Sequence, residues 1–194
     1  IFVVTLCILK LLCVTSCSNK QHSNKEDTLI NIKNINLFRN KTVFIPDTTI
    51  NNKLMLENYQ SAREFYSAID KIDLVNLIRE SPVVIFCNKD QTEYLLAYQY
   101  EGDMKNAFSC FEIGYFNEKE FSSGFSITNE PYFMTENNIQ LGMPVDKLIS
   151  IKGNNYTSKK DSTILYQIDM PAYFLECTIK NSKINKIKFG FVQP

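Results

Sequence analysis

The run at residues 184–192 constrains the fold most, because apolar and polar residues alternate along it. The apolar residues are Ile187, Phe189 and Phe191. They alternate with Lys186, Lys188 and Gly190. Only an extended strand places every second side chain on one face. The pattern therefore predicts a β-strand with one buried face and one face in water.

Further runs of the chain have the composition of strands and are separated by turn residues. They lie at residues 83–88, 93–100, 107–116, 163–169 and 173–180. Ser61 and Glu64 have the spacing of a capping box and precede an apolar stripe, which predicts a helix from about 61 to 70. Pro144 suits the start of a second short helix, and Gly153 suits its C-terminal end.

The order of one helix followed by three strands thus occurs twice. We predict an α+β fold of two tandem helix-plus-three-stranded antiparallel units, with both helices packed on one side of the sheet. The N-terminal unit is expected at residues 29–116, a connecting segment at 117–138 and the C-terminal unit at 139–194.

The start of the chain predicts export. Residues 1–16 are mostly apolar, but they are too few for a membrane-spanning helix, which needs about 20 residues. They fit the apolar core of a signal peptide. The sequence Val-Thr-Ser-Cys that ends at Cys17 resembles a bacterial lipobox. This resemblance implies that the Cys17 thiol carries a lipid anchor with several acyl chains. The alternative is an ordinary secretory signal that happens to end in a cysteine.

A polar stretch follows the cysteine. With Cys17 it forms a predicted flexible tether at residues 17–28. Ser18 stands where inner-membrane lipoproteins commonly have Asp, so resemblance to known sorting rules implies the outer membrane, on either its periplasmic or its surface side. The 21 basic and 21 acidic side chains cancel. No broad attraction to nucleic acid is therefore expected.

The C-terminal unit carries a family resemblance. The pattern I-x-L-G-M-P-x-x-x-L at residues 139–148, followed by Gly153 and three strands, resembles the SmpA/OmlA (BamE-like) family of outer-membrane lipoproteins. It is also similar to the tandem fold of beta-lactamase inhibitory protein. The resemblance implies a fold and an envelope location. It implies no activity, because a fold does not determine a function.

The sequence contains few of the residue patterns that catalytic sites and metal sites require. The single histidine, His22, lies in the tether, so the folded part has no residue for a Ser-His-Asp or Cys-His pair or for a histidine metal site. Cys87, Cys110 and Cys177 form no C-x-x-C pair and are predicted to be small buried apolar groups. A disulfide between Cys87 and Cys110 is the alternative, since export permits one. No metal and no cofactor are predicted.

Two sets of side chains remain as candidate sites. Tyr94, Tyr98 and Tyr100 share one strand face and are the predicted partner-binding residues, since tyrosine both packs and hydrogen-bonds. The alternative is a core face whose hydroxyls reach the rim. Four scattered carboxylates supply an acid–base pair only if the fold brings two of them together. They are Glu112, Glu118, Glu120 and Glu176.

These patterns predict a lipid-anchored, non-catalytic binding or scaffold protein of the cell envelope, with the membrane and an unknown envelope protein as its partners. The alternative is an enzyme inhibitor or ligand-binding module. An enzyme with a carboxylate site is less favoured.

Overall fold

A computed structural model describes most of the chain beyond residue 43. The described residues, which lie in one unit spanning 41–194, are 44–71, 83–100, 102, 107–121, 124–158, 162–170 and 172–192. The predicted signal peptide at 1–16, Cys17 and the tether to residue 28 lie outside them.

One sheet of eight strands dominates this unit. A small antiparallel hairpin of β1 (Thr49–Ile50) and β2 (Leu54–Met55) precedes it. The sheet strands are β3 (Val84–Cys87), β4 (Glu93–Tyr98), β5 (Cys110–Tyr115), β6 (Ser126–Ile127), β7 (Thr157–Ser158), β8 (Thr163–Asp169), β9 (Ala172–Lys180) and β10 (Lys183–Phe191).

The strand order is β6-β3-β4-β5-β10-β9-β8-β7. Neighbouring strands are antiparallel except β3 and β6, which are parallel, so the sheet is mixed. Two antiparallel meanders, β3 to β5 and β8 to β10, meet where β10 pairs with β5. Their register runs from Lys186 opposite Gly114 to Gly190 opposite Cys110.

The predicted fold class was wrong. The described residues form one continuous mixed sheet rather than two tandem helix-plus-three-stranded units. Main-chain groups at the edge of each meander find partners across the β5–β10 seam, which leaves neither meander with an open inner edge. Two of the strands, β6 and β7, lie where no strand was predicted, and β6 introduces the parallel pairing.

The helices are few and short in the described part of the chain. They are α1 (Tyr59–Phe65), α2 (Val145–Lys152) and two 3-10 turns at Ile69–Lys71 and Glu118–Glu120. The capping-box prediction placed the start of α1 wrongly. Asn58 is the N-cap, and its side-chain oxygen accepts a hydrogen bond from the Ser61 amide at 2.9 Å. Gly153 ends α2 at φ 82°, as predicted.

The core lies on the sheet face that carries both helices. Ala62 of α1 and Leu148 of α2 belong to the same buried cluster as alternate residues of six strands. The strand members are Val84, Phe86, Leu95, Ala97, Phe111, Ile113, Ile164, Tyr166, Leu175, Cys177, Ile187 and Phe189. The alternation predicted for β10 is confirmed at Ile187 and Phe189, which are fully buried here while Lys186 and Lys188 belong to the other face. It is wrong in part at the end of the strand, where Gly190 is buried and Phe191 is only half-buried.

A buried ion pair fixes the first described segment to α2. The Lys152 ammonium lies 2.5 Å from the Asp47 carboxylate, with side chains 2% and 0% exposed. Lys152 Nζ also donates a hydrogen bond to the Ile45 carbonyl at 2.7 Å, and Asn137 Nδ2 donates to Asp47 at 2.9 Å. Among the described residues, no helix is both long and apolar enough to cross a membrane.

Candidate functional site: the open face of the sheet

The sheet surface opposite the helices, which we call the open face, carries charged and aromatic side chains. It is formed by the alternate residues of β4, β5, β8, β9 and β10 that do not enter the main core. Over β4, Phe116 and Phe121 join Tyr94, Leu96 and Tyr98 in a second, smaller apolar cluster. The charged residues lie toward β10, beside this cluster.

Glu112 occupies the centre of the open face. Only 7% of the residue is exposed. Its Oε1 accepts a hydrogen bond from the Tyr94 hydroxyl at 3.0 Å, and its Oε2 accepts one from the Tyr98 hydroxyl at 3.5 Å. Lys186 Nζ lies 3.6 Å from Oε1. A buried carboxylate needs such partners, because its removal from water is otherwise costly.

Strand register places a row of three charges across the sheet. Lys188 of β10 is directly opposite Glu112 of β5 on one side and Glu176 of β9 on the other. Neighbouring strands are about 4.8 Å apart, so the lysine stands between the two carboxylates. The Lys188 ammonium also lies 4.6 Å from the centre of the Tyr98 ring, within cation–π range.

The thiol next to this row is not activated. Burial raises the pKa of the Cys110 thiol to about 12, against a smaller opposing effect of the Lys188 ammonium. A nucleophilic cysteine requires a lowered pKa, because the thiolate is the reactive form. Cys110 therefore acts as a buried apolar group here.

A shallow groove of about 280 Å³ runs along the open face beside the charged row. Its walls include Leu165, Phe174 and Val192 as apolar groups, and Glu176 and Lys188 as charges. Tyr100 closes one side, and its hydroxyl donates to the Phe191 carbonyl at 3.1 Å. This combination of apolar surface and a few fixed polar groups is typical of binding sites.

A larger cleft of about 560 Å³ lies elsewhere, between the start of α2 and the turn from β9 to β10. Its walls are mainly short polar side chains and aliphatic groups, and Asp146 is the charged residue among those that line it. The open face is the better candidate, since it combines aromatic, apolar and paired charged groups.

The structure locates the three predicted partner-binding tyrosines. Tyr94 and Tyr98 are 9% and 8% exposed, and both hydroxyls bind Glu112. Tyr100 is half-buried at the groove. The structure thus brings all three to the open face, where Tyr100 is the one placed to touch a ligand in the groove. Tyr94 and Tyr98 hold the Glu112 carboxylate, which lies on the neighbouring strand β5 of the same face.

The predicted state of the cysteines is confirmed. Cys87, Cys110 and Cys177 are fully buried and free, and each lies in a strand. The alternative disulfide between Cys87 and Cys110 is not formed; β4 separates their strands.

The four candidate carboxylates divide into two pairs. Glu112 and Glu176 share the open face with Lys188 between them. Glu118 and Glu120 belong to an exposed 3-10 turn. In the described part of the chain, no group of three His, Cys, Asp or Glu side chains is placed to hold a metal ion.

The lysines of the open face were not among the predicted site residues. The alternation along β10 predicted that Lys186 and Lys188 face water. Their positions beside Glu112 and Glu176, however, depend on the pairing of β10 with β5 and β9. No local pattern encodes that register.

Comparison of the chain with protein-family models, with curated proteins and with solved structures gives no match. The resemblance to the SmpA/OmlA family and the lipobox at Cys17 therefore stay predictions from the sequence.

Proposed function

We propose that this protein is a lipid-anchored, non-catalytic binding lipoprotein of the cell envelope, which holds its partner on the open face of the sheet. Cys17 is the attachment point in this proposal, and residues 18–28 give the folded part its reach. The process that the protein serves is set by the identity of the partner.

The groove on the open face is the observation that carries the proposal. Its apolar walls at Leu165, Phe174 and Val192 offer surface that gains free energy when it is removed from water. Glu176 and Lys188 at its edge supply orientation and specificity rather than bulk affinity. Such a surface can bind a partner without a metal ion, a cofactor or a catalytic side chain.

The side chains beside the groove on the same sheet face are held in place, which favours binding. Glu112 is fixed by Tyr94, Tyr98 and Lys186, and Lys188 rests against the Tyr98 ring. Side chains that are already ordered lose less conformational entropy when a partner arrives. The open face is thus preorganised.

Site-specific photo-crosslinking in host cells tests the binding surface. A photoreactive amino acid replaces Thr178 on the open face, and in a matched variant it replaces the exposed Ser67 beside α1. The proposal expects a discrete crosslinked product at Thr178 and none at Ser67. Products of equal yield at both positions, or at Ser67 alone, would contradict it. Loss of a hydrolase's activity in the Thr178 product would identify the protein as an inhibitor.

The anchor has its own test. Intact-mass analysis of the protein extracted from host membranes is expected to show a chain that begins at Cys17 and carries acyl groups. The Cys17→Ala variant is expected in the soluble fraction. An unmodified Cys17 in membrane-extracted protein would contradict the proposed anchoring.

A further inference from the structure

Four lysines lie on the open face along the β9–β10 hairpin. Lys180 and Lys183 are exposed and directly opposite each other next to the turn. Lys186 and Lys188 follow on β10, and 41% of the Lys186 side chain is exposed. A β-bulge between Ile184 and Lys186 keeps Lys183 and Lys186 on the same face although they are three positions apart in the sequence.

The pair nearest the turn is unfavourable as it stands. Like charges directly opposite each other in an antiparallel pair destabilise the hairpin. An anionic group bound between Lys180 and Lys183 would remove that repulsion. The next lysine along the strand, Lys186, is already partly compensated by Glu112 at 3.6 Å. Charge complementarity is therefore greatest at the turn end of the hairpin.

The other end of the same face is apolar. Phe174, Leu165 and Val192 line the groove at the end of β10 that lies away from the turn. From Lys183 to Val192 the strand extends over about 30 Å, at about 3.3 Å per residue. The face thus changes along its length from cationic to apolar over the span of about nine extended residues.

We propose that the open face binds an extended polypeptide segment that is acidic at one end and apolar at the other. The acidic end lies against Lys180 and Lys183, and the apolar end fills the groove beside Tyr100 and Phe174. This inference rests on the proposed function, because it names the chemistry of the partner at the same surface.

A polypeptide fits this face better than an anionic lipid surface. A membrane with negative headgroups offers a broad field of one sign, whereas Glu112 and Glu176 lie among the lysines. The groove also provides an apolar channel beside the charges rather than an exposed apolar rim. A chain that alternates its side chains can satisfy both features along one line.

Fluorescence anisotropy with defined peptides tests the proposal. The probe is a labelled nine-residue peptide with four acidic residues at one end and leucine and phenylalanine at the other, made in both sequence directions. The full chain in detergent is expected to bind one direction more tightly. Lys180→Gln with Lys183→Gln is expected to weaken that binding about five- to tenfold. The matched variant, Lys71→Gln with Lys89→Gln, changes two exposed lysines away from the open face and is expected to bind as the wild type does.

Two further measurements complete the test. Phe174→Ala is expected to weaken binding of the acidic–apolar peptide and to leave binding of an all-acidic peptide unchanged. Vesicles that contain phosphatidylglycerol are expected to bind equally to the Lys180→Gln, Lys183→Gln double variant and to the Lys71→Gln, Lys89→Gln double variant. The proposal fails if neither peptide binds, if both double variants behave alike, or if vesicle binding rather than peptide binding depends on Lys180 and Lys183. A crosslink at Thr178 would in those cases leave the proposed function standing with a partner of different chemistry.

Discussion

Glu112 is the residue on which the order of the open face depends. Its carboxylate accepts hydrogen bonds from the hydroxyls of Tyr94 and Tyr98 and lies next to the Lys186 ammonium. Burial raises the pKa of the Tyr98 hydroxyl, and the nearby negative charge of Glu112 raises it further. The same two causes, in the same order, raise the pKa of Tyr94.

Replacing that carboxylate tests its role. Glu112→Gln keeps the size of the side chain but removes the charge, so the two tyrosine hydroxyls lose a charged acceptor. We expect the free energy of unfolding to fall by about 1–2 kcal/mol, as measured by urea denaturation. Glu118→Gln, on an exposed turn, is the control and should leave the free energy of unfolding unchanged; equal stability of the two variants would contradict this role of Glu112.

At this scale the sequence predicted part of the site. Period-two spacing correctly put Tyr94 and Tyr98 on one strand face, and the structure puts Tyr100 on the same side of the sheet. Their acceptor, Glu112, belongs to the next strand, and its partner Lys186 lies 74 residues further along the chain. Contacts between residues so far apart arise from strand pairing, which no local pattern specifies.

At the scale of elements, the end of α2 depends on the buried pair of Asp47 and Lys152. Removal of one partner leaves a charge in the interior without compensation. Asp47→Asn is therefore expected to lower the free energy of unfolding by about 3–5 kcal/mol, as measured by urea denaturation. The double variant Asp47→Leu with Lys152→Met removes both charges and should recover most of the loss. A double variant less stable than Asp47→Asn would show that the pair is not the cause.

The seam between β5 and β10 depends on Gly190. Its φ is +152°, and a Cβ there would lie against the carbonyl oxygen of Ser109 and 2.6 Å from the Cα of Cys110. Backbone atoms cannot move aside as the end of a side chain can. Gly190→Ala is expected to cost about 2–4 kcal/mol of unfolding free energy from strain and overpacking. Gly124→Ala separates these effects: Gly124 also has a positive φ, +89°, but nothing lies within 4 Å of its Cβ position. Equal losses of stability in the two variants would contradict an overpacked seam.

The elements themselves were largely readable from the sequence. Six predicted strand runs overlap β3, β4, β5, β8, β9 and β10, because alternation and turn residues are local signals. The short edge strands β6 and β7 were missed, since two residues carry no period. The start of α1 was misplaced because the N-cap is Asn58 rather than Ser61.

At the scale of the whole molecule, the described residues form one sheet because β5 and β10 pair over five residue positions. The two meanders were predicted as separate units, since nothing in either run indicates which edge meets which. Pairing between distant strands is decided by the burial of both faces and by the satisfaction of main-chain groups. The fold class was wrong for that reason.

The stability of the whole molecule should fall in alkali. Burial raises the pKa of Cys110 to about 12 and that of Cys87 to about 11, from the ordinary 9.0. Above pH 9.0 the unfolded chain releases these protons while the folded chain keeps them, so the free energy of unfolding decreases as pH rises toward about 12. Below pH 9.0 this contribution is fully present.

Urea denaturation in reducing buffer at increasing pH measures this loss. Cys110→Val carries no ionisable group and should show a shallower decline than the wild type between about pH 9 and about pH 11. The comparison holds all tyrosines constant. Equal declines in the two proteins would show that the Cys110 thiol has an ordinary pKa.

Lysine footprinting in intact cell envelopes tests directly whether the open face is the binding surface. An amine-reactive reagent is applied to envelopes and to the purified protein, and modification of each lysine is quantified by mass spectrometry. We predict that Lys180, Lys183 and Lys186 are protected in the envelope relative to the purified protein, whereas Lys71 and Lys89 are modified equally in both. Equal modification of the open-face lysines in both samples, or protection centred on Lys71 and Lys89, would show that the open face is not the binding surface.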